Sequence, residues 1–371
     1  MRKRVSGSAK TLWVQTPTAR YPVWIGVGLL TKSGARLRRL RPRDERLFVV
    51  SSPRVWPLWG RVLTRSLRRA GLRSETLLMD DREAAKRLVT LERLAEALLR
   101  RGADRGALLV ALGGGVVGDV TGFLAASYMR GVEYVQIPTT LVGQVDSALG
   151  GKTGVNLRSG KNLLGAFHHP RAVVADPRTL ETLPDRDYRA GLYEVVKCAV
   201  IGDAKLFRFL ERNLSLVLAR EPRSLASAIG GAVRLKAALV GEDEREAGRR
   251  RLLNLGHTFG HAFEAAARYR TLRHGEAVGW GMIAATRLAE RVGLLRPPDA
   301  ERILGLVRAV GKLPPLPRVA PARLYAQLFA DKKTRGGQLH FVLPRAIGRA
   351  SVVSDVSRAD VLVVLRELAA H

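Results

Sequence analysis

The chain has 371 residues, enough for two domains of ordinary size, and 46% of them are hydrophobic, which excludes a disordered protein. Its one cysteine, Cys198, excludes an internal disulfide and every paired-thiolate zinc pattern, and it fits a reducing cytoplasm. The net charge of +30 arises from 63 basic residues spread along the chain, with no zinc-finger or RNA-binding pattern beside them, so compositional habit explains it better than a nucleic-acid partner.

In chain order, MRKRVSGSAKTLWVQ carries basic residues but no apolar core after them, and so does not read as a secretory signal. The runs LFVVS (47–51), ALLVAL (107–112), YVQIP (134–138) and AVVAD (172–176) are short, apolar and bounded by turn residues, as buried parallel strands are. Between the first two, Leu88, Leu91, Leu94 and Leu98 fall at helical spacing and the helix stops before Gly102. GALLVALGGGVVGDVTGFLAA is about as long as a membrane span, but six glycines and Asp119 make it a strand, a turn and a buried helix, so no membrane partner is expected. This predicts an α/β domain with a mostly parallel sheet over residues 1–178. From 179 to 371 nearly every segment has helical periodicity, which predicts an all-α second domain in outline, with QLHFVLP and RASVVS as a small strand pair near its end.

Three segments carry candidate chemistry. Gly113, Gly115 and Gly118 have G-x-G-x-x-G spacing after a strand and before a helix, where free backbone N–H groups favour a pyrophosphate; a tight structural turn is the alternative. Residues 136–170 are polar, glycine-rich and loop-like, with Thr139, Thr140, Asp146, Lys152, Thr153, Asn156, Lys161, Asn162, His168 and His169 suited to phosphate or carboxylate groups; a mobile surface loop is the alternative. In RRLLNLGHTFGHAFEAA, His257 and His261 stand four apart on one helix face and could converge on an ion, with a third ligand from His274, Glu276, Glu264 or Glu194. Thr258 replaces the glutamate of the metalloprotease pattern, and a simply packed histidine pair stays open.

Together GGGVVGD, YMRG, PTTLVGQVDSALGGKTGVN, GKNLLGAFHHP, YEVVK, NLGHTFGHAFE and HGEAV, in that order, resemble the 3-dehydroquinate synthase family, with similarity from residue 21 to residue 348. The resemblance implies an NAD- and metal-dependent lyase that converts the seven-carbon sugar-acid phosphate DAHP into 3-dehydroquinate and phosphate. The family's route is oxidation at C5, phosphate elimination, reduction by the same NADH, ring opening and aldol closure. It implies Glu194, His257 and His274 as ligands of zinc or cobalt, with His261 near the substrate instead of on the metal. It implies substrate contacts from Asp146, Lys152, Asn162, Lys197, Lys236, Arg250, Asn254 and His261, with Lys152 and Asn162 on the phosphate. Lys332 or Lys333 would close over that phosphate, and Arg130 would reach the neighbouring subunit's site in a homodimer. For NAD it implies Gly114, Gly115, Val116 and Asp119, with Glu83, Lys86, Thr139, Thr140, Lys161 and Thr182 nearby. Two positions depart from the pattern. Ser52 and Arg54 stand where many members have an acidic residue for the adenosine ribose, which raises tolerance of NADP as an expectation. Cys198 replaces the more usual tyrosine or histidine after EVVK.

Overall fold

The computed structural model describes residues 9–40, 46–268, 271–329 and 339–369. The chain divides into two compact units: one runs to Pro184 and takes in Leu225–Arg245, and the other comprises Asp185–Ser224 and the residues from Glu246.

The first unit alternates strands and helices: β1 (Lys10–Gln15), β2 (Arg20–Ile25), α1 (Ser33–Leu40), β3 (Leu47–Ser51), α2 (Arg61–Arg69), β4 (Ser74–Leu78), α3 (Leu88–Arg100), β5 (Leu108–Gly113), α4 (Gly115–Ser127) and β6 (Glu133–Pro138). A hairpin of β7 (Lys152–Leu157) and β8 (Gly160–Phe167) follows, then β9 (Ala172–Ala175). The seven-stranded sheet has the order β1-β2-β9-β6-β5-β3-β4. Only β1 runs antiparallel to its neighbour. Successive residues of a strand face opposite sides, so a sheet covered on both faces needs unbroken apolar strands, and LFVVS supplies them. Phe48 and Val50 pack with Leu94, Leu98, Val117 and Leu124 on one face, whereas Leu47 and Val49 pack with Leu37, Leu63 and Leu67 on the other. Pairing of Val50 with Ala111 and of Gly113 with Pro138 brings the carboxyl ends of β3, β5 and β6 side by side.

The β7–β8 hairpin corrects the loop-like reading of the residues between YVQIP and AVVAD. Gly154 pairs with Gly165, and a Cβ on Gly154 would stand 2.5 Å from the Leu164 carbonyl oxygen, so the two strands approach more closely than side chains permit. Glycine here serves strand pairing.

The second stretch supplies α5 (Asp185–Gly202), α6 (Ala204–Leu218), α7 (Pro222–Glu242), α8 (His257–Ala266), α9 (His274–Arg291), α10 (Pro297–Val310), α11 (Pro321–Phe329), the strands β10 (Phe341–Ala346) and β11 (Arg349–Val353), and α12 (Arg358–Ala369). The antiparallel β10–β11 pair means that this stretch is not purely α, as the strand-like QLHFVLP and RASVVS foretold. Most of α7 belongs to the α/β unit, although the sequence drew one boundary at 178. Two polar attachments hold it there: Lys236 donates to the Asp146 carbonyl at 2.6 Å and to its carboxylate, and Glu244 beyond the helix end meets His169 at 2.7 Å. α7 is long and apolar enough to cross a bilayer by composition, but 61% of its apolar window is buried within the protein, as in a core helix.

Candidate active site

In the α/β unit the site grows from the turn after β5. Gly114 ends the extended segment, and α4 starts at Gly115 with Val116 in its first turn and no acidic residue there, so its leading N–H groups face outward uncapped by a side chain. Thr139 N–H donates to the Gly113 carbonyl at 2.9 Å, and an added Cβ on Gly114 would meet the Thr140 methyl at 3.0 Å. The turn and the threonines after β6 are thus one surface, and glycine keeps its backbone accessible.

A hydrogen-bonded chain borders that turn. Lys86 donates to Asp119 at 2.5 Å and also to the Asn162 side-chain oxygen. The Asn162 N–H donates to Asn156 at 2.8 Å, and the Asn156 amide donates to Glu83 at 2.7 Å. Glu83, Lys86, Asp119 and Asn162, all sequence candidates, therefore meet, through an Asn156 that had been noted in its segment but given no role. Asn162 adopts φ +53°, a left-handed conformation that asparagine tolerates better than most residues. Burial pushes the Asp119 carboxyl up while the Lys86 ammonium pulls it down. Thr182 accepts from the Trp59 indole at 3.0 Å. Lys152 and Lys161 lie on the hairpin, and Lys236 sits buried on Asp146.

In the second unit three separate helices supply the donors. Glu194 projects from α5, His257 opens α8 and His274 opens α9. One oxygen of Glu194 lies 4.0 Å from His257 Nε2 and 3.5 Å from His274 Nε2, and the three donor atoms stand within 4.8 Å of one another. Glycines make this convergence possible. A Cβ on Gly275, next to His274, would fall 1.9 Å from the Ala190 carbonyl of α5, and one on Gly281 would fall 1.8 Å from the Gly256 carbonyl before α8.

Supporting contacts aim the rings. His257 Nδ1 lies 3.1 Å from the Leu255 carbonyl and His274 Nδ1 lies 3.3 Å from Glu264, which leaves Nε2 of each ring toward Glu194. Metal-binding histidines are commonly oriented by such backbone and carboxylate partners. Arg186 grips Glu276 at 2.6 and 2.8 Å, and Glu276 accepts from the Arg273 N–H at 2.7 Å, fixing the start of α9. Burial lowers the His274 pKa, but Glu194 and Glu264 outweigh it and raise the value to about 10. A cation entering here displaces a proton.

The donor set passes the chemical test for zinc or cobalt. Two imidazoles and one carboxylate form an ordinary catalytic set, and a tetrahedral ion holds its ligand atoms about 3.3 Å apart, so small side-chain adjustments suffice. His261, Glu264 and His274 make a second, overlapping group that shares His274. The i, i+4 reading of His257 and His261 was thus correct about proximity, with ring centroids 5.5 Å apart, but the deeply buried carboxylate Glu194 faces His257 and His274. Lys197 rests 2.5 Å from Glu194, both side chains being 1% exposed, and Arg250 is buried nearby in sequence to Asn254. Asn254 donates to Glu246 at 2.6 Å. Sequence reasoning missed Glu246; its φ of +60°, rare outside glycine, shows only in the fold. Lys332 and Lys333 lie outside the described residues.

Family models described as the 3-dehydroquinate synthase N-terminal and C-terminal domains match residues 76–190 and 191–334. The chain belongs to the 3-dehydroquinate synthase family. A relative from Solibacter usitatus, named 3-dehydroquinate synthase, is 46% identical over 95% of this chain and 98% of its own. Among solved structures similar to this family member, 2-epi-5-epi-valiolone synthase from Streptomyces hygroscopicus, with NAD+ and Zn2+ bound, has a TM-score of 0.85 at 35% identity, covering 94% of this chain and 97% of the other. A 2-deoxy-scyllo-inosose synthase complexed with carbaglucose-6-phosphate, NAD+ and Co2+ has a TM-score of 0.87 at 28% identity, covering 96% and 100%.

Proposed function

We propose that the chain converts 3-deoxy-D-arabino-heptulosonate 7-phosphate into 3-dehydroquinate and phosphate, using NAD and one zinc or cobalt ion. The observation that carries this reading is identity: 46% to a curated 3-dehydroquinate synthase over nearly the whole chain, against 35% and 28% to two cyclases that make other products.

When bound, NAD supplies a reversible hydride acceptor and the metal a Lewis acid for a substrate hydroxyl. The protein's residues position and compensate charge. Glu194, His257 and His274 hold the ion, and Glu264 and the Leu255 carbonyl fix the two rings. The turn at Gly114, Gly115 and Val116 takes the pyrophosphate on its N–H groups, and Glu83, Lys86 and Asp119 border it, with Thr139, Thr140, Lys161 and Thr182 completing the dinucleotide contacts. Lys152 and Asn162 bind the substrate phosphate, and Asn162 is already braced by Lys86 and Asn156. Asp146 holds the Lys236 ammonium in place for an anionic group, while Arg250, Asn254 and His261 contact the ring, with Lys197 beside Glu194.

A ketone beside the leaving group acidifies the neighbouring C–H, and the departing phosphate can accept that proton, so the protein needs no dedicated strong base there. A homodimer belongs to this reading: Arg130 is exposed and follows Met129, both at positive φ (+70° and +49°), which supports a side chain held outward for a neighbouring subunit. A cytoplasmic setting belongs to it too, on the strength of the buried Cys198 thiol.

The test follows phosphate and 3-dehydroquinate together, in metal-loaded protein given NAD+ and the heptulosonate phosphate, with a chelated sample alongside. Equal formation of both products, lost on chelation, is expected. Phosphate release from sedoheptulose 7-phosphate but not from the heptulosonate would move the chain to the cyclitol-forming branch.

A further inference from the structure

We infer that His169, held by Glu244, positions Lys152 for the substrate phosphate by fixing the Gly150–Gly151 turn from which that lysine enters β7; this rests on the reading of Lys152 as a phosphate-binding residue. A lysine ammonium is a point charge on a flexible stem, so the place where its backbone starts decides which positions the charge can reach. Here the start is a turn with little order of its own. Gly150 and Gly151 take φ +91° and +68°, consecutive left-handed conformations that glycine adopts without strain. Glycine also loses the most conformational freedom on being ordered, so such a turn depends on outside groups to hold it.

Strand β2 and the segment after β8 supply them. The Gly150 N–H donates to the Tyr21 hydroxyl at 3.0 Å, and the His168 N–H donates to the Gly151 carbonyl at 2.8 Å. A Cβ on Gly151 would stand 2.9 Å from His169 Nδ1 and 3.0 Å from Cε1, so the imidazole lies against the glycine with no room for a side chain between them. The Tyr21 and His169 rings are themselves neighbours, with centroids 5.6 Å apart. Lys152 follows directly, paired with Phe167 in the hairpin and with its side chain exposed.

The imidazole is fixed in turn from beyond the end of α7. His169 Nε2 lies 2.7 Å from a Glu244 carboxylate oxygen, and the two side chains are 7% and 10% exposed. Thr18, ahead of β2, donates to the same carboxylate. Burial raises the Glu244 pKa, but hydrogen bonds from Thr18 and His169 outweigh it and keep the group ionised at neutral pH. A carboxylate only accepts, so Nε2 carries a proton, and a flip of the ring would strip a buried charge of a donor. Earlier on α7, Lys236 holds Asp146 at the other end of the stretch that leads to Lys152. Residues 146–152 are therefore anchored to one helix at both ends, and the two lysines assigned to anionic groups share one frame.

Phosphorus NMR titration of inorganic phosphate into the zinc- and NAD-loaded, full-length protein tests this without relying on turnover, with zinc content and melting temperature as controls for folding. His169→Ala is expected to weaken phosphate about tenfold, and His169→Gln, which keeps an N–H donor for Glu244, to recover most of that loss. In a Lys152→Ala background His169→Ala should weaken phosphate by less than about twofold, because the group it positions is gone. A purely structural role would give the same loss in both backgrounds; that result, or no loss in either, would overturn the positioning role. Glu244→Gln, smaller in effect, takes the place of His169→Ala in the same cycle if that variant fails to fold. Absence of phosphate binding in the wild type, or binding unchanged by Lys152→Ala, would remove the phosphate role of Lys152 and the positioning role with it.

Discussion

The two units build their functional surfaces in opposite ways. The α/β unit offers a backbone turn, Gly113 to Val116, whose binding groups are consecutive in sequence and fixed by one strand and one helix. The helical unit assembles Glu194, His257 and His274 from three helices, and their convergence depends on glycines at the helix contacts. A local site is legible as a motif and tolerates change elsewhere. A gathered site is invisible as a motif and is sensitive to changes that never touch a ligand.

The largest effect should come from the gathered site. Glu194→Gln removes the carboxylate charge that faces both imidazoles, so on the proposed ligand set turnover should fall to the level of the chelated wild type while NAD+ titration is unchanged. Steady-state assays and calorimetry check this, and retained metal-dependent turnover would contradict it. Gly275→Ala tests whether packing assembles the centre: its Cβ would stand 1.9 Å from a backbone oxygen, so a loss of about 1–3 kcal/mol in chemical denaturation is expected, together with weaker zinc binding.

The converse experiment uses the local site. Lys86→Met should weaken NAD+ about tenfold or more by stripping Asp119 and Asn162 of their cation, yet leave one zinc per chain by elemental analysis. If zinc were lost as well, the two sites would not be separable in the way described.

The sequence made the same division visible in advance. The strands β3, β5, β6 and β9 stood out because burial on both faces demands continuous apolar runs. β1 and β4, at the two edges, mix exposed and buried residues and carry little such signal, and the polar β7–β8 hairpin carries less. The return of α7 to the α/β unit could not be read, because it rests on tertiary pairs, Lys236 with Asp146 and His169 with Glu244. His257 and His261 were correctly set on one helix face, but periodicity within a helix says nothing about a carboxylate arriving from another one. The family resemblance supplied that choice.

Smaller effects sharpen the comparison further. Glu264→Gln leaves the metal ligands in place but removes the charge behind His274, so zinc affinity should weaken about 10- to 100-fold in competition with a chelating dye, with the melting temperature of the metal-free protein little changed. Glu244→Gln probes the docking of α7. Burial raises the Glu244 pKa, but hydrogen bonds from Thr18 and His169 outweigh it and hold the carboxyl below its ordinary range. Its contribution is therefore present above the ordinary carboxylate pKa and lost as pH falls through the lowered folded value. The variant should lose about 1–2 kcal/mol near neutral pH, and the gap from wild type should close in acid.

The central claim concerns which donors hold the ion, since His274 belongs to two overlapping groups. Anomalous diffraction at the zinc edge, on crystals of the zinc-loaded protein, decides it directly. The account predicts one peak within bonding distance of Glu194, His257 and His274; a peak held by His261, Glu264 and His274 would contradict it.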